Sequence, residues 1–241
     1  MSCVAMVLAA GQDTVRGTNV PKPFVNVFDK PVLIYTLEVF EHHPQIDAIE
    51  LVCLHGWEKV AEAYAKQYNI SKLKWIVQGG ITIQETIREG LVDLKEKMSD
   101  DDVVIIHDGI RPLVEESVLT DVIMVAKEKG NAISSMPNNE QVFVVSENDT
   151  KTTTQFIPRE TIRRVTTPQA YHFKELFDAY QIAFKQKIGI EGPSYADTLF
   201  ADLGKPLFFA AGSDKNIKLN TEEDLGIFAA YLNRDKDLWL K

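Results

Sequence analysis

Hydrophobic and polar positions alternate along this chain in blocks that are typical of an α/β protein. Short apolar runs predict strands over residues 3–9, 48–54, 73–77, 102–107, 131–136 and 206–210. Between them, apolar residues recur at helical spacing, which predicts helices over residues 31–42, 57–68, 81–97, 115–129 and 172–186. A last helix is expected to open at Thr221, because Asp224 follows at capping-box spacing. Since strands that alternate with helices build βαβ units, the pattern predicts a mostly parallel sheet in a three-layer fold.

One polar region, residues 137–166, breaks this alternation. It contains two short β-like pieces, Val142–Val145 and Thr152–Ile157. Such pieces have little core of their own, so they need another surface to pack on, and a second subunit is the natural candidate. We therefore expect one domain spanning residues 1–241, with residues 137–166 as a protruding β-arm that mediates dimerisation.

Length and charge narrow the class of protein. A chain of 241 residues is within the range of one α/β domain, and its 45% hydrophobic content supports a sizeable core. The net charge of -9 argues against a nucleic-acid partner, because phosphate backbones require a basic face. No apolar run is long enough to span a membrane, and the apolar start lacks the basic residues of a signal peptide.

The two cysteines indicate a compartment. Cys3 and Cys53 both fall inside apolar runs that we interpret as strands. Buried, reduced thiols are the expected state, so the protein is expected to be cytoplasmic. Two such cysteines form neither a disulfide framework nor a zinc site.

The strongest candidate for chemistry stands at the end of the strand predicted over residues 102–107. Four β-branched residues lead into the run His107-Asp108-Gly109-Ile110-Arg111-Pro112. Because open α/β sheets bind ligands at the carboxyl ends of their strands, this strand would deliver the Asp108 carboxylate to a site. The plain alternative is that Asp108 only begins a turn. We expect His107 to make structural hydrogen bonds and not to act as a base.

A second candidate follows the first predicted strand, which ends in Leu8-Ala9-Ala10-Gly11 and is followed by Pro21-Lys22-Pro23. Small residues at a strand end let a ligand approach closely, and free N–H groups in the next loop can hold phosphates. Lys22 would add a positive charge, although surface lysines after turns are common. The stretch is neither a dinucleotide fingerprint nor a Walker A loop, and the missing dinucleotide fingerprint argues against an unrelated α/β oxidoreductase.

The motifs together resemble a known family. In chain order they are Leu8-Ala9-Ala10-Gly11, Pro21-Lys22, Gly79-Gly80, His107-Asp108-x-x-Arg111-Pro112, Thr167-Pro168-Gln169 and Asn216-Ile217-Lys218. Their order and spacing are similar to those of the cytidylyltransferases that activate small polyol phosphates. That resemblance implies a Rossmann-like nucleotidyltransferase fold, a homodimer with exchanged β-arms and a divalent metal, usually Mg²⁺. It also implies a reaction in which CTP and a polyol phosphate give a CDP-polyol and pyrophosphate.

The resemblance also implies a role for each matching residue. Lys22 and Lys218 would be catalytic through contacts with the CTP phosphates, and Asp108 would bind Mg²⁺. Arg111 and, from the neighbouring subunit's arm, Arg159 would bind the polyol phosphate. The implied nucleotide-binding set is Ala9, Ala10, Gly11, Arg16, Gly80, Thr86 and Asp108. Without the resemblance, Lys218 and Arg159 would be interpreted as solvated surface residues.

Several positions depart from the family pattern. The usual loop Gly-x-Gly-x-Arg-Met has Asp13 in place of its second glycine and Val15 in place of its arginine, with Arg16 one position later. Ile83 replaces an arginine in the helix after Gly80. On the side that reads the polyol, the departures are Glu140-Gln141 and Ser194-Tyr195-Ala196.

These departures leave two functional hypotheses. One is a working cytidylyltransferase with an unusual nucleotide loop, and the other is a catalytically weakened paralogue that acts as a binding or partner subunit. We favour the first, because the charged positions Lys22, Asp108, Arg111, Arg159 and Lys218 all survive. The segment 30–37 is more similar to the ribitol-phosphate branch, so D-ribitol 5-phosphate is the expected substrate. The methylerythritol-phosphate branch is the alternative.

Overall fold

The computed structural model describes residues 1–14, 19–146, 150–192 and 195–233. In chain order, the strands are β1 Cys3–Ala9, β2 Asn26–Val27, β3 Lys30–Pro31, β4 Ala48–Cys53, β5 Leu73–Gln78, β6 Val103–Asp108, β7 Asn131–Pro137, β8 Val142–Val144, β9 Gln155–Ile157, β10 Arg163–His172 and β11 Phe209–Ala211. The helices are α1 Val32–His42, α2 Glu58–Gln67, α3 Ile83–Leu94, α4 Glu116–Lys129, α5 Phe173–Gln186, α6 Ala196–Asp202 and α7 Glu222–Leu232.

The central sheet has seven strands in the order β11-β7-β10-β6-β1-β4-β5. Every neighbouring pair is parallel except the two that involve β10, which runs antiparallel to both β6 and β7. The sequence-based prediction of a mostly parallel α/β sheet is therefore confirmed. β1, β6 and β4 lie side by side near the middle, which accounts for their continuous apolar runs.

Helices cover the sheet on both faces and give the predicted three layers. One hydrophobic cluster packs α1, α2 and α4 against one face of the sheet. A second cluster packs α3, α5 and α6 against the other face. The free thiols of Cys3 and Cys53 are buried in the first cluster, as expected. None of the described helices has the length and apolar character that crossing a bilayer requires.

The sheet extends further than the sequence pattern predicts. Strand β10 lies within the main sheet, and its first residue, Arg163, pairs with Pro137 at the end of β7. The ends of the predicted arm, at residues 137 and 163–166, are thus continuous with the central sheet. The last predicted strand is also shifted, from residues 206–210 to Phe209–Ala211. The predicted helix start is confirmed, because Thr221 and Asp224 form a capping box.

The rest of the predicted arm carries a separate hairpin. Strands β8 and β9 pair antiparallel with each other and form a two-stranded sheet of their own. Its apolar side chains are exposed: Phe143, Val144, Val145, Phe156 and Ile157. A two-stranded hairpin is marginally stable alone in water, so these side chains make the arm a surface suited to a protein contact.

Candidate active site

A cleft of about 280 Å³ opens where β1 and β6 end. Its walls come from the loop after β1, the first turn of α3, the end of β6 and the segment before α7. The described residues that line it include Ala9, Ala10, Gly11, Asp13, Lys22, Thr82, Ile83, Thr86, Asp108, Tyr195 and Lys218. The carboxyl ends of parallel strands are where open α/β sheets bind ligands.

The Asp108 carboxylate lies at the centre of a charged cluster. Arg111 Nε donates a hydrogen bond to Asp108 Oδ2 at 2.8 Å, and Lys218 Nζ lies 3.4 Å from the same oxygen. Burial alone would raise the pKa of Asp108, but the Lys218 and Arg111 cations outweigh it and hold that pKa below its usual value. The same attraction outweighs burial at Lys218 and raises the pKa of its ammonium. The cluster therefore stays ionised at neutral pH.

Backbone and polar contacts join three of the sequence motifs at this cluster. The Asp108 N–H donates to Thr167 Oγ1 at 3.2 Å, and Asn216 Nδ2 donates to the Thr167 carbonyl at 2.6 Å. Arg111 Nη1 donates to the Asn216 carbonyl at 2.7 Å. Gly109 must lack a side chain, because a Cβ there would come within 2.9 Å of the Leu8 carbonyl oxygen. Segments that are distant in sequence thus hold the Asp108–Arg111 pair in one place.

Tyr195 is a site residue whose contacts the sequence did not predict. Its hydroxyl donates to Asp108 Oδ1 at 3.2 Å and accepts a hydrogen bond from Lys218 Nζ at 2.6 Å. Burial and then the Asp108 carboxylate raise the pKa of the phenol, so it is protonated at neutral pH. The sequence marked this position only as a departure from the family pattern.

Lys22 lines the same cleft and faces an acidic neighbour. Its Nζ lies 3.4 Å from Asp13 Oδ2, and the Lys22 N–H donates to the Asp13 carbonyl at 3.0 Å. The side chain of Asp13 is 83% exposed, so solvent screens this ion pair. Asp13, which replaces the second glycine of the family pattern, thus partly neutralises the Lys22 cation.

The glycine pair before α3 gives a close backbone approach. A Cβ on Gly79 would come within 2.3 Å of Ala10 Cβ, and one on Gly80 within 2.2 Å of Glu85 Cβ. Thr86 Oγ1 donates to the Gly80 carbonyl at 3.3 Å, which ties α3 to this turn. Gly80 lines a neighbouring cavity, whereas Thr86 lines the cleft itself.

Four residues of the predicted set are not among the described residues that line the cleft: Gly80, Arg111, Arg159 and Arg16. Gly80 lines the neighbouring cavity, and Arg111 is joined to the cleft through its ion pair with Asp108. Arg159 lies in a single 3₁₀ turn that follows β9 in the arm, where it pairs with Glu160 at 3.3 Å. Arg16, and with it Val15, lies outside the described residues. A contact of Arg159 with this chain's own cleft is thus not observed.

His107 is part of the interior. Its Nε2 lies 3.0 Å from the Arg111 carbonyl oxygen, and burial lowers the pKa of the imidazole to about 4. The ring is therefore neutral at pH 7 and fully buried. These contacts agree with the expectation that His107 supports the turn structurally.

A cleft at the carboxyl ends of parallel strands, with small residues on one wall and cations around a buried carboxylate, is typical of α/β enzymes that bind nucleotides. Residues 3–234 match the family described as IspD, 2-C-methyl-D-erythritol 4-phosphate cytidylyltransferase. The chain belongs to this cytidylyltransferase family.

Relatives from both branches of the family align along nearly the whole chain. The ribitol-5-phosphate cytidylyltransferase of Lacticaseibacillus paracasei is 49% identical, over 97% of this chain and 99% of its own length. The 2-C-methyl-D-erythritol 4-phosphate cytidylyltransferase of Clostridium novyi is 32% identical, over 96% and 97%. The crystal structure of 4-diphosphocytidyl-2C-methyl-D-erythritolsynthase from Anaerococcus prevotii shares the fold, with a TM-score of 0.81, 22% identity and coverage of 97% and 96%.

Proposed function

We propose that this protein transfers CMP from CTP to a small polyol phosphate, D-ribitol 5-phosphate, and releases pyrophosphate. The observation that carries the proposal is the convergence of Lys22 and Lys218 on one cleft that also holds the Asp108 carboxylate. Arg111 adds a third cation next to that cleft through its ion pair with Asp108. An overall acidic protein that concentrates cations here is suited to a highly charged phosphate ligand. The choice of polyol follows the relative with 49% identity.

The proposed reaction requires little acid–base catalysis from the protein. The polyol phosphate is already an anion, so its oxygen attacks the α-phosphorus of CTP while the bond to pyrophosphate breaks. Catalysis then consists of alignment and neutralisation of developing charge. In this proposal Lys22 and Lys218 contact the CTP phosphates from opposite sides of the cleft. Arg111, held by Asp108 and by the Asn216 carbonyl, presents its guanidinium to the polyol phosphate.

The residues of the cleft fit a magnesium ion. Among the described residues no cluster of three or more metal-ligating side chains occurs, but Mg²⁺ in nucleotide sites takes one or two carboxylates and completes its shell with phosphates and water. Asp108 is a buried carboxylate on the cleft wall and would hold the ion. When bound, the ion would neutralise charge on the nucleotide phosphates.

A pyrophosphate-release assay with Mg²⁺ tests the proposal. CTP and the other three nucleoside triphosphates are each offered with ribitol 5-phosphate, methylerythritol 4-phosphate or glycerol 3-phosphate. We expect release with CTP and ribitol 5-phosphate. Release only with methylerythritol 4-phosphate would favour the other branch of the family. If the folded protein releases no pyrophosphate with any pair, the proposal is contradicted and a paralogue that binds without catalysis is favoured.

We also infer that the protein works as a homodimer in which the arm supplies Arg159 to the neighbouring cleft. The exposed apolar hairpin supports the contact, and the arm position of Arg159 supports the exchange. An Arg159→Ala subunit mixed with a Lys22→Ala subunit should recover about a quarter of the wild-type activity, because half of the dimers hold one intact site.

The controls for this mixing experiment separate exchange from dimerisation. Each variant alone should be nearly inactive, while Arg163→Ala, at the exposed base of the arm, should retain activity. Mixed dimers are verified by tagging one subunit. If verified mixed dimers remain inactive, Arg159 does not act across the interface.

Neutralising Asp13 should tighten nucleotide binding. The carboxylate competes with the triphosphate for Lys22 and repels it, so Asp13→Asn should lower the KM for CTP roughly two- to five-fold, as for other exposed ion pairs. Steady-state kinetics measure the effect, with Asp29→Asn at an exposed site as the matched control. A higher KM in Asp13→Asn would show instead that this carboxylate contributes to binding.

A further inference from the structure

The hydroxyl of Tyr195 lies between the two oppositely charged groups of the cleft. It accepts a hydrogen bond from Lys218 Nζ at 2.6 Å and donates one to Asp108 Oδ1 at 3.2 Å. The direct distances from Lys218 Nζ to the Asp108 oxygens are longer, 3.4 Å to Oδ2 and 3.5 Å to Oδ1. Because a charge-assisted N–H···O bond is normally about 2.7–2.9 Å, the short contact of the ammonium is with the phenol.

Hydrogen bonds hold the backbone of Tyr195 to helices α3 and α6. Gln84, a buried residue in the first turn of α3, donates from Nε2 to the carbonyls of Tyr195 and Gly189, each at 3.0 Å. Its Oε1 accepts a hydrogen bond from the Tyr180 hydroxyl at 2.5 Å. The Tyr195 N–H donates to Thr198 Oγ1 at 2.9 Å, at the start of α6. These hydrogen bonds hold the Tyr195 backbone in place. Its hydroxyl can therefore fix the position of the more flexible Lys218 side chain.

We propose that Tyr195 is a positioning residue, whose hydroxyl holds the Lys218 ammonium away from the Asp108 carboxylate so that both remain available to a nucleotide and its metal ion. This inference rests on the proposed nucleotidyl transfer. Tyr195 then acts only by positioning Lys218 and Asp108, and its phenol does not contact the reacting atoms.

The physical reason is competition between ion pairing and ligand binding. Without the hydroxyl, the Lys218 ammonium would move from its present 3.4 Å to hydrogen-bonding distance of the Asp108 carboxylate, because opposite charges in a partly buried cleft attract each other more strongly than in water. The ligand would then have to break that pair before using either group. The carboxylate would be less available to a cation, and the ammonium less available to phosphate.

The substitution Tyr195→Phe removes the hydroxyl and keeps the ring. We expect kcat to fall about 10- to 100-fold, the usual effect of losing a hydrogen bond to a charged group, while KM for the polyol phosphate changes little. The Mg²⁺ concentration for half-maximal activity should rise. Tyr68→Phe is the matched control, since the Tyr68 hydroxyl also donates a hydrogen bond, to the Asp29 carbonyl at an exposed site. It should behave as wild type.

A binding measurement tests the same inference without turnover. Calorimetry with Mn²⁺ and a non-hydrolysable CTP analogue should show a roughly three- to ten-fold weaker Mn²⁺ affinity in Tyr195→Phe. In a Lys218→Met background, the same change should lose most of its effect, because no ammonium is left to hold. A merely structural tyrosine would weaken binding equally in both backgrounds.

The outcomes distinguish this inference from the proposed function. Wild-type protein that binds Mn²⁺ and the analogue but turns over no substrate pair would refute the proposed activity, and the binding comparison would still decide the role of Tyr195. Equal Mn²⁺ affinities in wild type and Tyr195→Phe would overturn the positioning role. An effect that persists unchanged in the Lys218→Met background would also overturn it.

Discussion

Replacing Asp108 with asparagine is expected to lower kcat/KM by about 10²- to 10³-fold. The change removes one negative charge and keeps the shape of the side chain. Arg111 and Lys218 then lose the anion that orients them, and Mg²⁺ loses a carboxylate ligand. Pyrophosphate release at increasing Mg²⁺ measures the effect. Added Mg²⁺ should not restore the rate, because the missing group is the ligand itself.

A carboxylate at the other end of the same strand provides the control. Asp102 precedes β6 and accepts hydrogen bonds from the N–H groups of Ser2, at 2.6 Å, and Ser99, at 2.8 Å. Asp102→Asn should lower the melting temperature and leave kcat nearly unchanged, since Asp102 is remote from the cleft. Circular dichroism shows whether Asp108→Asn remains folded. Wild-type activity in folded Asp108→Asn would contradict the role proposed for Asp108.

The location of the cleft could be predicted because its strands carry strong local signals. β1 and β6 lie in the interior of the mostly parallel sheet and are buried on both faces, so each forms a continuous apolar run that is easily found in the sequence. The polar run that follows β6 then marks the carboxyl end of a strand, where ligands bind. The same reasoning predicted that Asp108 and Lys22 lie at the carboxyl ends of these strands. Both side chains line the cleft.

Strand β10 and the contacts of Tyr195 could not be predicted in the same way. The first residues of β10 are exposed and polar, including Arg163 and Arg164, so the strand lacks an apolar run. Its place between β6 and β7 depends on long-range pairing alone. Tyr195 is 87 positions from Asp108, and no spacing rule links an aromatic residue before a short helix to a distant carboxylate.

Glu50 is an acidic side chain buried in the sheet. It lies in β4, where every residue is buried, and neither of its carboxyl oxygens has a hydrogen-bond partner among the described residues. Gly90 of α3 makes room for it, since a Cβ there would come within 2.8 Å of Glu50 Oε2. Burial, and then the neighbouring Asp93 carboxylate, raise the pKa of Glu50 to about 9, against a smaller opposing effect of Lys97.

This buried acid should make the protein less stable as the pH rises. Unfolded Glu50 loses its proton near pH 4.5, whereas the folded protein keeps it until about pH 9. The folded state therefore binds one more proton between these values, and the free energy of unfolding falls by up to about 1.4 kcal/mol per pH unit.

Glu50→Gln, which is neutral and nearly isosteric, should remove this dependence on pH. Its stability relative to wild type should increase by roughly 2–3 kcal/mol between pH 6 and pH 8, measured by urea unfolding. Other titrating groups cancel in the comparison, and Glu96→Gln at an exposed position should follow wild type. If Glu50→Gln and wild type show the same pH slope, Glu50 is not a neutral acid in the folded protein.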